Sequence, residues 1–478
     1  MSETSRCLKA AERLLQLAPP VVQQHREALL PLLEQLLLRQ QEGAEPLPLA
    51  ASDLEKLGRE ACSALTQLPL ELVINPQGGA QLWSRRRQQQ QQRLLQELLL
   101  RLDLHNGMLL TGGAGTGKTT LVRELLQEEE GRPTWLLAPT GKAAARLRET
   151  LSPLPETMQC ATVHRALEAD AEGGYRRGRH RPLEAEVVVV DEVSMLDAAL
   201  MQALLEALPP AARLILVGDP AQLPPIGGSG VLDALELKLQ ERQPERHRHL
   251  ERSHRFNDVT ALGRFVQQLR RGASSADLQQ QLDERNGENL HWWSLQETWP
   301  RQLLQRIEQH RQQLRQTCLD EGCDDTSALA RLDELMVLSP RRRGRYGIEQ
   351  LNSRWLQLDP TEPRRWPART PLLVGRNDAG LGLANGDRGL VRPGEMGPEA
   401  VIASSEGPVR FPIALIPAPE PALAMTVHKS QGSQAGEVIA VIPPATSIDR
   451  RLLYTALTRA RQRVDLFSPR LDTLELSH

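Results

Sequence analysis

The stretch Thr111-Gly-Gly-Ala-Gly-Thr-Gly-Lys-Thr-Thr120 constrains this chain more than any other. Gly112 to Thr119 fit the spacing G-x-x-x-x-G-K-[ST], and the flanks supply what that spacing needs. Apolar Met108-Leu-Leu110 precedes it, and Leu121-Val-Arg-Glu-Leu-Leu126 follows at helical spacing. A strand, a glycine loop and a helix in that order commit the chain to an α/β layer. The glycines let successive backbone N–H groups curl around an anion, and the helix N-terminus adds partial positive charge. Gly112, Gly113, Ala114, Gly115, Thr116, Gly117, Lys118, Thr119 and Thr120 are therefore expected to cradle the phosphates of ATP. Lys118 is expected to reach the β- and γ-phosphates, and the Thr119 hydroxyl to ligate Mg²⁺.

A chain of 478 residues is too long for one core, and two to four domains are expected. Its hydrophobic content of 40% and charged content of 25% describe a globular protein with no bilayer-length apolar run. Met1-Ser-Glu-Thr-Ser-Arg-Cys7 carries an acid and lacks an apolar stretch, which argues against a secretory signal. Cys7, Cys62, Cys160, Cys318 and Cys323 form no CxxC pair, so reduced thiols, a cytoplasmic setting and no cysteine metal site are expected. The net charge of −2 leaves nucleic-acid binding to local basic clusters. Such clusters include Arg85–Arg87, Arg176–Arg181 and Arg341–Arg345, and the plainer reading of any one is a solvated face.

Residues 1–100 read as a helical domain, with Ser52-Asp-Leu-Glu55 fitting a capping box and the run Gln88–Gln92 a polar helix face. Residues 101–330 read as a first α/β lobe with a helical extension. Its expected strands are Gly107–Thr111, Thr134–Ala138, Val187–Asp191 and Leu214–Gly218. Leu335–Ser339 opens a second lobe, made of residues 331–365 and 423–478, with strands at Val438–Ile442 and Val464–Phe467. Between its halves, residues 366–422 turn rich in Pro and Gly. Short runs at Pro371–Val374, Gly389–Val391, Val401–Ala403 and Val409–Ile413 suggest a small inserted β-barrel.

Two further segments carry chemistry. Val187-Val-Val-Val-Asp-Glu192 is a buried-strand run ending in two carboxylates. Asp191 is placed to hold the Mg²⁺ shell and Glu192 to polarise an attacking water. Leu216-Val-Gly-Asp-Pro-Ala-Gln222 ends another apolar run in an uncharged amide. Gln222 can bond both a γ-phosphate and a water, and so report whether the phosphate is attached.

With these segments the chain resembles superfamily 1 helicases, in order, over residues 107 to 465. Leu137-Ala-Pro-Thr-Gly-Lys-Ala-Ala-Ala-Arg146 resembles motif Ia, which implies backbone contacts to DNA from Thr140 and Lys142. Arg252-Ser-His-Arg-Phe256 resembles motif IV, implying that Arg255 approaches the γ-phosphate. Ala424-Met-Thr-Val-His-Lys-Ser-Gln-Gly-Ser433 resembles motif V, implying DNA contacts from Thr426, His428 and Lys429. Leu453-Tyr-Thr-Ala-Leu-Thr-Arg459 resembles motif VI, where Arg459 takes the arginine-finger position.

Finer features are similar to the RecD family: the motif V wording, the stretch Val374-Gly-Arg-Asn-Asp-Ala-Gly-Leu-Gly-Leu-Ala-Asn-Gly-Asp387, Ala161-Thr-Val-His-Arg165, and Leu338-Ser-Pro-Arg341 with Leu351-Asn352. The resemblance implies two RecA-like P-loop lobes, a partner-contacting N-terminal domain and an SH3-like barrel. It also implies 5′→3′ unwinding of duplex DNA ends, bound through single-stranded DNA, in a heterotrimer with RecB- and RecC-like subunits. His164 is a further DNA candidate. Gln434 stands where the family usually has glutamate, so the nucleotide-sugar contact departs from the pattern. About 100 residues precede the P-loop, which favours the subunit over a stand-alone RecD-like helicase. The alternative from another class is a nucleotide-switched assembly protein without a motor, against which the intact hydrolytic residues argue. Aromatics make up 3% of the chain, so Trp292, Trp293 and Trp355 are read as core or interface rather than base-stacking platforms.

Overall fold

The central parallel strands lie where the apolar runs fall. The computed structural model describes residues 3–477 apart from 17, 42–46, 50, 66, 69, 75–79, 171–172, 226–230, 257–258, 296–297, 317–323, 358, 377, 379, 396, 405–406 and 445–446. Cys318 and Cys323, and the side chain of Ser52, lie outside the described residues. Cys7, Cys62 and Cys160 are free thiols. Among the described residues no helix is long and apolar enough to cross a membrane.

The chain divides into two compact units. One comprises residues 1–107, 194–206 and 224–246. Its helices Glu3–Gln16, Arg26–Gln41 and Ala51–Leu65 bury leucines at helical spacing, Leu29, Leu33 and Leu36 among them. Helix Arg85–Leu104 carries the glutamine run. Gln88 is buried while Gln89, Gln90 and Gln92 face solvent, as a polar helix face requires. This unit is not wholly helical, in contrast to the sequence reading. Strands Leu47–Leu49, Ala80–Ser84 and Leu70–Ile74 form an antiparallel sheet in that order. They are three to five residues long and leucine-rich, and at that length an apolar run has no distinguishing period.

The other unit comprises residues 108–193, 207–223 and 247–478. Its first sheet is parallel, in the order Met158–Thr162, Thr134–Ala138, Val187–Val190, Arg213–Gly218, Met108–Gly112, His247–Leu250. Val187–Val190 is buried along its whole length, the mark of a strand covered on both faces. A second parallel sheet runs Leu290–Ser294, Ala460–Ser468, Ala435–Val441, Leu335–Ser339, Ala424–Thr426. Its edge strand Leu290–Ser294 comes from a span that reads as helix-dominated in the sequence. It pairs with Ala460–Ser468 because Trp293 stacks on Phe467 and Trp292 Nε1 donates to Ser468 Oγ at 3.0 Å. Both tryptophans, and Trp355 with 6% exposure, are thus packing residues.

The proline- and glycine-rich insertion forms a five-stranded antiparallel sheet, Gly407–Pro412, Gly397–Ser404, Arg388–Gly394, Pro371–Leu373 and Glu420–Pro421 in that order. Asn352 fastens its return to the second lobe. The Asn352 amide donates to Pro421 O and Ala424 O and accepts from Ala424 N, each at 2.9 Å. At 3% exposure no water replaces it. Asn352→Ala is expected to orphan these backbone groups and to cost about 2–4 kcal/mol, read as a lower urea midpoint. An unchanged midpoint would remove Asn352 as the fastener.

Candidate functional site

The glycine loop leaves the end of strand Met108–Gly112 and enters helix Lys118–Gln127. Gly115 (φ 74°) and Gly117 (φ 85°) adopt left-handed conformations that a side chain resists. The loop is also crowded. A Cβ on Gly112 would lie 2.7 Å from Thr116 Oγ1, and one on Gly115 would lie 2.6 Å from Arg255 Cβ. Thr116 Oγ1 donates to Gly113 O at 3.0 Å, and Lys118 Nζ donates to Gly112 O at 2.7 Å and Gly113 O at 3.0 Å. Thr119 and Thr120 follow in the first helical turn, Thr119 half-buried and Thr120 exposed.

Asp191 and Glu192 leave strand Val187–Val190 at a tight bend. Asp191 N donates to Leu137 O at 2.8 Å, and Asp191 Oδ1 accepts from Glu192 N at 2.8 Å. Glu192 holds φ 52°, a left-handed conformation that costs a non-glycine residue energy and gathers at functional sites. Burial, and then the neighbouring Glu192 carboxylate, push the Asp191 carboxyl up to about 6; Lys118 and Arg146 oppose that rise.

The other candidates gather around this pair. Gln222 is 4% exposed, donates to Asp219 Oδ2 at 3.3 Å, and has its Oε1 buried with no partner among the described residues. Arg255 Nη1 is also buried, with no hydrogen-bond partner among the described residues. Burial, followed by the like charges of Arg146, Arg459 and Arg461, lowers the Arg255 guanidinium to about 10. Arg459 is 2% exposed, and donates to Thr455 O at 3.1 Å and Ser433 O at 3.3 Å. Burial lowers it as well, against the attraction of Glu192 and Asp219.

A buried acceptor, a buried donor and several mutually repelling cations surround a glycine cradle. Polar groups of this kind are costly without partners. A polyanion with attached protons or water satisfies both signs, so the residues fit a nucleoside triphosphate. Asp191 and the Thr119 hydroxyl are the oxygen donors suited to a hard divalent cation.

The helices that carry these loops also bring the two lobes together. Tyr454, from helix Arg450–Leu457, donates to Asp219 Oδ2 at 2.9 Å and accepts from Ala114 N at 3.1 Å. Thr455 Oγ1 accepts from Leu223 N at 2.9 Å, and Gln431 Nε2 donates to Leu223 O at 2.7 Å. Sequence reasoning quoted the segments holding Tyr454, Asp219 and Gln431 but gave these residues no part. Pairing over 235 residues of chain leaves no periodic signal.

The residues expected on DNA are partly assembled. Thr140 caps helix Gly141–Leu151, and a Cβ on Gly432 would lie 2.9 Å from its Oγ1, so motif Ia and motif V segments meet there. Thr426 Oγ1 accepts from Lys429 N at 3.3 Å. Lys142 Nζ is paired with Asp333 Oδ1 at 2.6 Å, and burial then Arg388 lower it to about 8. Lys429 Nζ is paired with Glu420 Oε2 at 3.0 Å. Burial lowers His428. His164 follows strand Met158–Thr162 at the same sheet end as Thr140, with its ring centroid 6.3 Å from that of Tyr175. Of the basic clusters, Arg177 and Arg181 bond Glu168, and Arg342 pairs with Glu420.

A cation ligated by Asp191 needs the ionised carboxylate, so Mg²⁺ affinity is expected to fall as pH drops through about 6. Glu192→Gln removes the like charge and is expected to shift that midpoint to lower pH. Calorimetric Mg²⁺ titrations of both proteins across pH 5–8 check this, and a midpoint that moves upward would refute the assignment.

Residues 86–288 match the AAA domain family, and residues 421–466 the UvrD-like helicase C-terminal domain. A Mycobacterium tuberculosis protein named RecBCD enzyme subunit RecD is 40% identical over 382 residues, covering 74% of this chain and 65% of the relative. The chain thus spans about two thirds of that relative's length. The Deinococcus radiodurans ATP-dependent RecD2 DNA helicase is 32% identical over 75% of this chain and 46% of its own length. The Mycolicibacterium smegmatis RecBCD enzyme subunit RecD is 38% identical over 77% of this chain and 70% of its own length, and with that coverage the chain belongs to the RecD family.

Proposed function

We infer that this chain is an ATP-dependent 5′→3′ DNA helicase, acting as a subunit of a RecBCD-type exonuclease complex on duplex ends in break repair and recombination. The observation that carries the reading is the meeting of Lys118, Asp191, Glu192, Gln222 and Arg255 from one lobe with Arg459 from the other, where the Asp219–Tyr454 hydrogen bond joins the lobes. Phosphoryl transfer asks a protein mostly for positioning and charge stabilisation. Lys118 turns from the loop carbonyls to the β- and γ-phosphates. Glu192 orients the attacking water, Gln222 reports the γ-phosphate, and Arg255 and Arg459 stabilise its developing charge. Thr119 and Asp191 hold Mg²⁺, which supplies charge neutralisation to the phosphates.

Single-stranded DNA lies along Thr140, Lys142, Thr426, His428 and Lys429, with His164 at its margin. Short polar side chains and loop N–H groups suit phosphate contacts that ignore sequence. Residues 1–100 form the partner-contacting domain. Residues 101–330, and 331–365 with 423–478, are the two RecA-like lobes, and 366–422 are an SH3-like barrel. The partners are RecB- and RecC-like subunits, in the cytoplasm. The name of the Deinococcus radiodurans relative supports a second reading, a RecD-like helicase acting alone.

Lys118→Ala is expected to abolish ATP hydrolysis and unwinding while single-strand binding survives; a variant that still unwinds would contradict the P-loop assignment. Arg459→Ala is expected to keep nucleotide affinity within a few-fold and to lose on the order of 10³-fold or more in turnover. Equal losses in both would make Arg459 a binding residue. Strand displacement from partial duplexes with a 5′ or a 3′ tail tests direction and autonomy together. Unwinding from the 5′ tail alone supports a motor able to act without partners. DNA-stimulated hydrolysis without unwinding supports the subunit reading. Absence of both in a folded, ATP-binding sample overturns the motor in favour of a nucleotide-switched assembly protein.

A further inference from the structure

Four successive carbonyls of the glycine loop are each held by a donor. Lys118 Nζ takes Gly112 O at 2.7 Å and Gly113 O at 3.0 Å, and Thr116 Oγ1 shares Gly113 O at 3.0 Å. The next two are held from outside the loop, by the segment that carries Arg255. Ser253 Oγ donates to Ala114 O at 2.7 Å, and His254 N donates to Gly115 O at 2.9 Å. A trans peptide points its N–H opposite to its C=O. Drawing Ala114 O towards Ser253 therefore turns Gly115 N–H to the other side of the loop, and drawing Gly115 O towards His254 does the same for Thr116 N–H. Neither N–H has an acceptor among the described residues. The loop thus offers two aimed, unclaimed donors, as an anion requires.

The Ser253 hydroxyl works in two directions. While its proton goes to Ala114 O, its oxygen accepts from Phe256 N at 2.9 Å, closing a turn with Arg255 inside it. One hydroxyl therefore fixes both the Ala114–Gly115 peptide and the turn that bears Arg255. The fit is tight: a Cβ on Gly115 would lie 2.6 Å from Arg255 Cβ, 3.2 Å from Arg255 N and 3.2 Å from Ser253 Oγ. When Lys118 turns to the phosphates, Gly112 O and Gly113 O lose the lysine, but Ala114 O and Gly115 O keep their donors. The Arg255 segment then holds the loop.

We propose that Ser253 is a positioning residue for both phosphate binding and phosphoryl transfer: its hydroxyl aims the Gly115 N–H at the nucleotide and holds the Arg255 turn against the loop. The proposal rests on the nucleotide reading of the glycine loop. Backbone donors of such a loop cradle the phosphates that ADP and ATP share, whereas Arg255 serves the group being transferred. The two effects of the hydroxyl can therefore be separated.

Ser253→Ala in the full chain is expected to weaken the binding of ADP and of a non-hydrolysable ATP analogue alike, roughly two- to tenfold, the worth of one hydrogen bond. DNA-stimulated kcat is expected to fall as well, roughly tenfold or more, as Arg255 shifts. In an Arg255→Ala background the loss of ADP affinity is expected to persist and the further loss of kcat to vanish, because the group that the turn aims is already gone. Unchanged ADP affinity in Ser253→Ala, or kcat losses that multiply in the double variant, overturns the proposal and leaves the nucleotide reading standing. A wild-type chain that binds neither nucleotide removes both. A second measurement needs no substitution: ADP is expected to slow amide exchange at Gly115 and Thr116. Unchanged exchange there, in a chain that binds ADP, overturns the proposal even if Ser253→Ala does not fold.

Discussion

Asp219 is a carboxylate with 1% exposure at the end of strand Arg213–Gly218, and the geometry around the glycine loop depends on how it is satisfied. An unpaired buried carboxylate would be costly enough to neutralise itself or unfold its surroundings. Three donors prevent that: Tyr454 Oη at 2.9 Å, Ala221 N at 3.1 Å and Gln222 Nε2 at 3.3 Å. Two come from its own turn and set where Gln222 points. The third comes from the second lobe and draws helix Arg450–Leu457 onto the glycine loop. Docking the lobes and aiming Gln222 are thus one act, because one anion has to be solvated by both. The apolar surroundings reinforce this: Leu223 and Phe256 share a buried cluster with Met425, Val427, Leu453 and Leu457.

The charges beside Asp219 are arranged so that neither sign is complete. Asp191 and Glu192 repel one another, which with burial raises Asp191 to about 6. Arg255 is depressed to about 10 by burial and three other arginines. Each group is held in place by scaffold contacts rather than by its electrostatic complement: Arg459 by carbonyls of its own lobe, Asp191 by the Leu137 and Glu192 backbones. Such preorganisation stores electrostatic free energy that a ligand carrying both phosphate charge and a hard cation releases. A fold optimised only for stability would have paired Arg255 with a carboxylate, and would not hold Glu192 at φ 52°.

Much of this was legible in the sequence, for identifiable reasons. Thr134–Ala138 and Leu335–Ser339 fall where their apolar runs end, because a doubly covered strand has no polar face to blur its limits. The motifs sit in loops whose backbone geometry their own glycines and acids prescribe, so Gly115, Gly117 and the Asp191–Glu192 bend follow from local chemistry. Other features carried no local signal. Strand Leu290–Ser294 depends on Phe467 and Ser468, contributed from the far end of the chain. The sheet of Leu47–Leu49, Ala80–Ser84 and Leu70–Ile74 is built from leucines that serve helices equally well. Tyr454 was visible as a letter in a recognisable segment, but its hydrogen-bond partners are Asp219 and Ala114, which no periodicity connects to it.

The lysines at the lobe junction follow the same logic as the buried site, in a wetter setting. Lys142 pairs with Asp333 and Lys429 with Glu420, and all four side chains keep part of their surface in solvent. Partly exposed pairs of this kind are held less tightly than fully buried ones, because water still competes for both partners. On the proposed DNA reading, a nucleic-acid phosphate would compete with either carboxylate, and the released counterions would favour the exchange at low salt. The two exchanges differ in their structural effect. Lys429 and Glu420 both belong to the second half of the chain around motif V, so swapping Glu420 for a phosphate rearranges a local contact. Lys142 reaches from the motif Ia helix to Asp333, whose carboxylate also accepts from the buried Arg388 of the inserted sheet at 3.2 Å. Replacing Asp333 there unties a link between the lobes and returns the carboxylate to Arg388. On the proposed reading, a strand phosphate that took Lys142 would loosen the Lys142–Asp333 link between the lobes.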